Sequence, residues 1–336
     1  MTESILKVDN LTVVFHGDRK KLTAVDNLSF ELYPGEVFGI IGESGSGKSV
    51  TCRSIMKLIQ YPGEIISGSI HYKNDDLLKI SNKDIHRFRG REIAMIFQDA
   101  MLALNPVKRV KDQIIETFKE NGVAVKDNNY ENAAVGLLRS VGIPSPETRI
   151  NDYPFQFSGG MAQRVVIAIA LAPNPPILLA DEPTSALDVT IQHQILKLLL
   201  SLQKERNMSM ILVTHSFGIV AQTCDRVGVM YAGQFVEIAD IDTIFSFPRH
   251  PYTIGLLNCV PDVESPILQQ LKPIKGMVPD LHHIPKGCRF HPRCPIAAEE
   301  CKTSDIPFIN ISNGHQSRCI FHDRLEKTTD IYSYQG

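Results

Sequence analysis

The sequence lacks an apolar run long enough to cross a membrane, and it has no excess of either charge. Its longest strictly apolar run, residues 165–172, is eight residues long, whereas a membrane-spanning helix needs roughly 17–25 residues. The 35 Lys and Arg residues nearly balance the 37 Asp and Glu residues. This balance argues against nucleic acid as a partner, because phosphate binding needs a basic surface. The first residues also lack the basic and apolar regions of a signal peptide. We therefore expect a cytosolic protein that reaches a membrane only through a partner.

The composition that is present is that of an ordinary globular protein, with 43% hydrophobic and 21% charged residues. A length of 336 residues predicts two domains, or one large domain with an appendage. After about residue 260 the chain is repeatedly interrupted by proline, and such a segment buries little core by itself. We predict one domain at 1–260 and a small appendage at 261–336.

Apolar patterning predicts an α/β fold. Alternating residues predict a pair of strands at 5–8 and 11–15 and a further strand at 24–32. Continuous apolar runs predict strands buried on both faces at 37–41, 177–180 and 210–213. Helical spacing predicts helices at about 48–58, 112–119, 133–141 and 189–205. Buried strands that alternate with helices indicate a mostly parallel sheet covered on both faces.

The segment 42–49 reads GESGSGKS and matches the phosphate-binding pattern G-x-x-x-x-G-K-[ST] between a buried strand and a helix. Its glycines let backbone N–H groups curl around phosphate oxygens at a helix N-terminus. Lys48 is expected to reach the β- and γ-phosphates and Ser49 to bind Mg²⁺. The alternative is an ordinary glycine turn. The expected nucleotide-binding residues in this region are Gly42, Ser44, Gly45, Ser46, Gly47, Lys48, Ser49 and Val50.

Two acids end a second apolar run, at Asp181 and Glu182. In P-loop NTPases an acid at a strand end holds Mg²⁺, so Asp181 is expected near the metal. Glu182 would then lie where a water molecule attacks the γ-phosphate. The alternative is that the two acids only end the strand and begin a turn at Pro183.

A second anion site is predicted at Ser158-Gly159-Gly160, which precedes a helix of small and apolar residues. Ser158 suits the N-cap position, and the glycines expose N–H groups at the start of the helix. Taken alone, such a segment is usually only a helix entrance.

Taken together, and in their order along the chain, the three motifs resemble those of the ATP-binding cassette (ABC) ATPases of membrane transporters. The resemblance covers about residues 5–260. The resemblance implies a P-loop NTPase fold with a mostly parallel core sheet, an antiparallel β subdomain and a helical subdomain at about 100–172. It also implies that two such subunits close head to tail. ATP then lies between the phosphate loop of one subunit and the Ser-Gly-Gly segment of the other.

The resemblance assigns further roles. Phe15 resembles the aromatic residue that stacks on adenine, and His215 resembles the histidine that contacts the γ-phosphate; either could instead be a core residue. Gln98 resembles the glutamine that senses Mg²⁺ and the attacking water. The implied catalytic residues are Lys48, Gln98, Glu182 and His215. The implied Mg²⁺ ligands are Ser49, Gln98 and Asp181. The implied nucleotide contacts outside the phosphate loop are Phe15, Gln98, Ser158, Gly159, Gly160, Gln163, Asp181 and Asp188.

Four cysteines are concentrated near the C-terminal end, with the spacing C-x₅-C-x₆-C-x₁₇-C. They are Cys288, Cys294, Cys301 and Cys319. Clustered thiols in a reducing compartment indicate a metal site, and the absence of a C-x₂-C pair argues against an ordinary zinc finger. Zinc, an iron–sulfur cluster and four reduced buried cysteines all remain open. The other cysteines, Cys52, Cys224 and Cys259, are interpreted as packing residues.

Residues 273–301 resemble the C-terminal extension of dipeptide and oligopeptide permease ATPases, and this resemblance favours a [4Fe-4S] cluster over Zn²⁺. The implied function is ATP hydrolysis that powers peptide import. The implied partners are a second, homologous ATPase, two transmembrane permease subunits that contact the segment 99–109, and an extracytoplasmic peptide-binding protein. The implied location is the cytoplasmic face of the membrane. Transport of nickel or another small solute is the alternative, followed by a soluble ABC ATPase without a transport role.

Overall fold

Residues 3–17, 21–185, 187–259 and 273–325 are described by the computed structural model. They form two compact units. The first unit consists mainly of residues 79–213. The second consists of residues 4–32 and 37–78 and the described residues from 214 onward.

The secondary structure alternates between strands and helices. The strands are β1 (Leu6–His16), β2 (Lys21–Leu32), β3 (Val37–Ile41), β4 (Gly63–Tyr72), β5 (Asp75–Asp76), β6 (Ile93–Ile96), β7 (Ile177–Asp181), β8 (Ser209–Thr214), β9 (Arg226–Tyr231), β10 (Gln234–Asp240), β11 (Ile309–Ser312) and β12 (His315–Ser317). The α-helices are α1 (Lys48–Ile55), α2 (Ala100–Ala103), α3 (Val110–Glu120), α4 (Tyr130–Ser140), α5 (Pro146–Arg149), α6 (Gly159–Leu171), α7 (Val189–Glu205), α8 (Phe217–Thr223), α9 (Ile241–Ser246), α10 (Pro251–Leu257) and α11 (Glu300–Thr303).

The second unit contains an antiparallel sheet with the strand order β2-β1-β4-β5. The predicted pair of strands at 5–8 and 11–15 is wrong, because β1 runs through both segments and pairs with β2 from Leu6 to His16. Asn10, which separates the segments, has a φ of 49°, and the register shifts there. A local irregularity of this kind bends a strand without reversing the chain. The predicted antiparallel β subdomain is confirmed.

A second set of paired strands in this unit carries the phosphate loop. Strand β3 is buried at all its positions and pairs in parallel with β9, while β10 pairs antiparallel with β9. Phe30 and Phe38 stack with ring centroids 5.2 Å apart, and Phe235 meets both rings edge-on. The start of strand β3 therefore packs within an aromatic cluster.

The first unit contains the parallel strands β6, β7 and β8, with β7 between the other two. Helices α2 to α6 lie within the predicted helical region, and α7 has the predicted bounds. The apolar run 165–172 belongs largely to α6, whose side chains are mostly buried. Across the described ranges, no helix is long and apolar enough to span a membrane.

The described part of the C-terminal segment, residues 273–325, consists mainly of loops and short elements. Its strand β12 pairs with β10, and β11 pairs with β12. Buried His315 and buried Glu237 approach to 2.9 Å beside this pairing. The segment is therefore built onto the sheet of the second unit. The predicted boundary at 260 lies outside the described residues and stays a prediction.

Candidate nucleotide site and four-cysteine cavity

The phosphate-loop segment 42–49 connects β3 to α1, as the motif predicts. Helix α1 begins directly after Gly47, whose φ of 107° lies in the region that favours glycine. A helix that begins at such a turn directs its first N–H groups toward the loop. This arrangement binds phosphate.

Two glycines of the loop leave no room for a side chain. A Cβ atom on Gly42 would lie 2.1 Å from the carbonyl oxygen of Met230, and one on Gly47 would lie 2.4 Å from that of Ala24. Beside Gly45, in contrast, the described residues place no heavy atom within 4 Å of a Cβ position. The loop is packed on one side and open on the other, which leaves space for a ligand.

Lys48 is buried within this loop. Its Nζ donates to the carbonyl oxygens of Gly42 at 2.8 Å and of Glu43 at 3.0 Å. The hydroxyl of Ser46 is also buried, and it has no hydrogen-bond partner among the described residues. An ammonium group and an unsatisfied hydroxyl in one glycine-rich loop are suited to a phosphate ligand.

The acidic strand end lies in the first unit. Asp181 ends β7 and is 2% exposed. Glu182 follows with a φ of 45°, and its N–H donates to the carbonyl oxygen of Val213 at 3.1 Å. The Nε2 atom of Gln98 donates to Glu182 Oε2 at 3.1 Å. The structure thus brings together two predicted catalytic side chains, and it holds one of them in a strained backbone conformation typical of functional sites.

The Ser-Gly-Gly segment begins α6, and Ser158 is its N-cap as predicted, accepting from the N–H of Met161 at 3.4 Å. A pocket in the same unit is lined by Gly159, Gln163 and Gln98, among other residues. The Nε2 atom of Gln163 is buried there without a hydrogen-bond partner among the described residues. Glycine N–H groups and an unsatisfied amide are available for an oxygen-rich ligand.

The remaining predicted residues have different surroundings. Asp188 is the N-cap of α7 and accepts from the N–H of Ile191 at 3.0 Å. His215 is exposed just after β8, and Phe15 is half-buried in β1 opposite Gly63. The phosphate loop and His215 belong to the second unit, whereas the acidic strand end and the Ser-Gly-Gly segment belong to the first. The roles of these residues toward a nucleotide stay predictions.

Apolar side chains are exposed in the segment 99–109. Met101 is 43% exposed, Leu102 is 85% exposed and Val107 is 80% exposed. Asp99 accepts hydrogen bonds from the N–H groups of Met101 and Leu102, at 2.9 and 3.2 Å, and so fixes the start of α2. Adjacent exposed apolar side chains are typical of a contact surface.

The four C-terminal cysteines line a single cavity in the second unit. These residues are Cys288, Cys294, Cys301 and Cys319. His250 and Phe290 line the same cavity, and the N–H of Cys288 donates to the carbonyl oxygen of Cys301 at 2.9 Å. All four are free cysteines. Residues separated by up to about thirty positions of chain therefore converge, as a shared site would require.

The cavity disfavours charged groups. Burial, together with the neighbouring cysteines, raises the pKa of Cys294 and of Cys319 to about 12. Burial lowers the pKa of His250 to about 3, so its ring is neutral at pH 7. Because Nδ1 of that ring accepts from the N–H of Tyr252 at 3.1 Å, Nε2 carries the hydrogen. Nε2 is buried with no partner in the part of the chain that the structure describes.

The cavity is not a formed ligand set. In the described ranges, no group of three or more His, Cys, Asp or Glu residues is placed to hold a metal ion. The predicted metal therefore has support from convergence of the thiols but not from ligand geometry. Of the other cysteines, Cys52 and Cys224 are buried, as predicted, and Cys259 is only half-buried.

Sequence reasoning missed the links between the C-terminal segment and the phosphate loop. Arg293 pairs with Glu43, and the Tyr252 hydroxyl accepts from the N–H of Glu43 at 3.1 Å. These residues are more than two hundred positions apart in the chain, so no local pattern connects them. The one local sign of such a link was Glu43, a charged residue at a position of the phosphate-binding motif where any residue type is allowed.

We expect Gly287→Ala to destabilise the extension by about 2 kcal/mol or more, because it adds a close contact to backbone strain. Its φ is 72°, and a Cβ would lie 2.3 Å from the Cys301 carbonyl oxygen. Gly314→Ala is the matched control, with a φ of 78° and no described heavy atom within 4 Å. Thermal unfolding of both variants measures the difference. Equal losses of stability would contradict a steric requirement at Gly287.

Comparison with known protein families gives two matches along the chain. The ABC transporter family matches residues 25–185. The family described as oligopeptide/dipeptide transporter, C-terminal region, matches residues 236–301. The second match includes Cys288, Cys294 and Cys301 and ends before Cys319.

Similar proteins and structures cover most of the chain. The dipeptide transport ATP-binding protein DppD of Escherichia coli (strain K12) is 45% identical over 316 residues, which cover 94% of this chain and 96% of that protein. The oligopeptide transport ATP-binding protein AppD of Bacillus subtilis (strain 168) is 44% identical over 323 residues, 95% of this chain and 97% of that protein.

A dimeric structure of the ATP-binding cassette MJ0796, bound to ADP and Pi after hydrolysis, has a TM-score of 0.63 and 27% identity, over 70% of this chain and 98% of that chain. The structure of cbiO1 from Clostridium perfringens, part of the ABC transporter complex cbiONQ, has a TM-score of 0.61 and 28% identity, over 72% of this chain and 91% of that chain.

Proposed function

The chain belongs to the ABC transporter ATPases, among the ATP-binding subunits of dipeptide and oligopeptide transporters, and we propose that it hydrolyses ATP to power peptide import through a membrane permease. The observation that carries the proposal is similarity to such transport proteins over nearly the whole chain. The phosphate loop and the acidic strand end would supply the groups that ATP hydrolysis requires.

The phosphate loop would bind the β- and γ-phosphates. Lys48, already held against the loop by two carbonyl oxygens, would place its charge on the phosphates, and the Ser46 hydroxyl would donate to them. Mg²⁺, held by Ser49, Gln98 and Asp181, would neutralise charge that develops on the transferring phosphoryl group. Phosphoryl transfer needs little else from the protein than such positioning and charge stabilisation.

Glu182 would orient the attacking water and accept its proton. The hydrogen bond from Gln98 supports this role, since it fixes one oxygen of the Glu182 carboxylate. His215 would contact the γ-phosphate, and Phe15 would stack on adenine. Asp188 and the Ser-Gly-Gly segment would complete the site of a partner ATPase in a head-to-tail dimer.

A membrane permease is the partner that an ATPase of a peptide importer requires. We assign its contact to the segment 99–109, and the exposed Met101, Leu102 and Val107 support this assignment. The finer composition that we propose is a heterodimer with a homologous ATPase, two permease subunits and an extracytoplasmic peptide-binding protein. The chain would then lie peripherally on the cytoplasmic face of the membrane.

We propose that the four-cysteine cavity holds a [4Fe-4S] cluster, with Zn²⁺ as the alternative. Four thiols in one cavity fit the donor set of either group. The buried Nε2–H of His250 would suit a metal-bound sulfur, which accepts hydrogen bonds. Binding would require the thiols to lose their protons and to move into ligand geometry.

Iron and acid-labile sulfide analysis of the anaerobically purified full chain tests this part. We expect about four iron and about four sulfide per chain, with absorbance at about 400 nm. The iron, the sulfide and the absorbance should all be lost in Cys294→Ser. Cys52→Ser is the control, because Cys52 is buried in α1 and does not line the cavity. One zinc per chain without sulfide would show the alternative, and neither metal would contradict the site.

Isolation of the chain with its native membrane partners tests the transport role. The proposal predicts co-purification of two permease subunits and of a solute-binding protein that binds peptides. A solute-binding protein specific for nickel would replace the peptide assignment but keep the ATPase role. Absence of any membrane subunit would contradict transport itself.

A further inference from the structure

One side chain of the C-terminal segment reaches into the phosphate loop. Arg293 donates from Nη1 to Glu43 Oε2 at 2.7 Å and from Nη2 to Glu43 Oε1 at 3.1 Å. This is a bidentate guanidinium–carboxylate ion pair, a geometry that makes the interaction both directional and strong. Glu43 is the second residue of the phosphate-loop segment.

The pair is largely removed from water. The side chain of Arg293 is 5% exposed and that of Glu43 is 31% exposed. The guanidinium carbon lies 5.7 Å from the ring centroid of Tyr231 and 5.9 Å from that of Phe290. Loss of one partner would leave the other charge partly buried and unpaired, which is costly.

Glu43 is held from a second direction. Its N–H donates to the hydroxyl of Tyr252 at 3.1 Å, and the ring of Tyr252 packs against Tyr231 and Phe290, with centroids 4.6 and 5.3 Å away. Phe290 is fully buried. The side chain and the backbone of one loop residue are therefore both fixed by an aromatic cluster that includes the C-terminal segment.

The fixed residue is one of two whose carbonyl oxygens hold the phosphate-binding lysine. The carbonyl oxygen of Glu43 accepts from Lys48 Nζ at 3.0 Å and from the N–H of Ser46 at 3.2 Å. A shift of Glu43 would move the ammonium group and the loop N–H group together. Displacements of about an ångström at a binding site are sufficient to lower affinity.

The arginine lies between two cysteines of the cavity. The segment 288–294 begins at Cys288 and ends at Cys294, and both side chains line the cavity. A second arginine of this segment, Arg289, forms an ion pair with Asp26 of β2. The segment 288–294 therefore links the cysteine cavity to residues beside the phosphate loop.

We propose that Arg293 is a positioning residue for the phosphate loop, and that segment 288–294 couples the four-cysteine cavity to nucleotide affinity. The proposal rests on the nucleotide role of segment 42–49, but not on which metal the cavity holds. It gives the C-terminal extension a function in the ATPase cycle beyond that of a structural appendage.

The test uses the purified full chain and measures the dissociation constant of the non-hydrolysable analogue AMP-PNP with Mg²⁺, together with kcat and KM for ATP. We expect Arg293→Met and Glu43→Gln each to raise the dissociation constant and KM about tenfold, a factor equivalent to roughly 1.4 kcal/mol. Turnover at saturating ATP should stay within about twofold. Arg293→Lys should bind AMP-PNP more tightly than Arg293→Met but less tightly than the natural chain, because lysine keeps the positive charge but cannot form both hydrogen bonds to the carboxylate.

A double-mutant cycle tests whether the ion pair between Arg293 and Glu43 is the interaction that sets nucleotide affinity. The double variant Arg293→Met/Glu43→Gln should bind no worse than either single variant, because both remove the same interaction. Lys302→Met is the control, since it removes an exposed ion pair with Glu299 in the same extension, and it should leave affinity unchanged. Additive losses, or unchanged affinity in Arg293→Met, would overturn the positioning role.

The coupling is tested by Cys294→Ser in two backgrounds. It should lower AMP-PNP affinity in the natural chain and have little further effect in Arg293→Met. Unchanged affinity in the natural background would overturn the coupling. Failure of the natural chain itself to bind AMP-PNP would instead reject the proposed nucleotide function, so the two failures are distinguishable.

Discussion

Glu182→Gln is expected to reduce steady-state ATP hydrolysis by about 10²–10⁴-fold, the range that a positioned general base contributes. The substitution keeps the size of the side chain and its contact with Gln98, which lies 3.1 Å away, but it removes the group that accepts a proton. ATP binding should be retained. Bound ATP that is not hydrolysed should hold two ATPase subunits in the closed, associated state.

The measurements are the ATPase rate and the association state in the presence of ATP. Glu205→Gln is the matched control, because it makes the same chemical change at the exposed end of α7 and should have no effect. An unchanged ATPase rate in Glu182→Gln would contradict the assignment of the base. Loss of ATP binding would assign Glu182 to the binding site instead.

Lys48→Ala is expected to reduce ATP affinity and hydrolysis by about 10²-fold or more, since it removes a charged contact to the phosphates and a hydrogen-bonded contact within the loop. The side chain is buried and bonded to two carbonyl oxygens of the loop. The variant should therefore fail at binding, whereas Glu182→Gln fails at chemistry.

The control for this variant is Lys7→Ala, which removes an exposed lysine of β1 in the same unit. Calorimetric titration with ADP and Mg²⁺ separates the two variants. Lys7→Ala should bind like the natural chain. Unreduced ADP affinity in Lys48→Ala would contradict the identification of the phosphate loop.

The parts of the site that could be predicted are those encoded by short, local patterns. The phosphate loop between β3 and α1, the acids at the end of β7 and the N-cap at Ser158 all follow from residue types within a few positions of one another. Helix α7 was predicted with its observed bounds because its apolar residues have regular helical spacing. The identity of the ATPase therefore required little tertiary information.

The parts that could not be predicted depend on contacts between distant residues. The ion pair of Arg293 with Glu43 joins residues 250 positions apart, and neither side chain carries a pattern that names its partner. Alternating apolar residues predict two strands at 5–8 and 11–15, whereas pairing with β2 and β4 on both sides keeps β1 extended through both segments. The cysteine spacing predicted a shared site, and the structure brings the thiols to one cavity without forming a ligand set.

The most direct test of the central claim is ATP-dependent peptide uptake by the complete transporter in sealed vesicles. Vesicles containing the permease, its ATPases and the peptide-binding protein should accumulate a labelled dipeptide only when ATP is present on the ATPase side. Uptake should be lost when this chain carries Glu182→Gln and kept when it carries Glu205→Gln. Peptide uptake that is unaffected by Glu182→Gln would contradict the claim that ATP hydrolysis by this chain powers import.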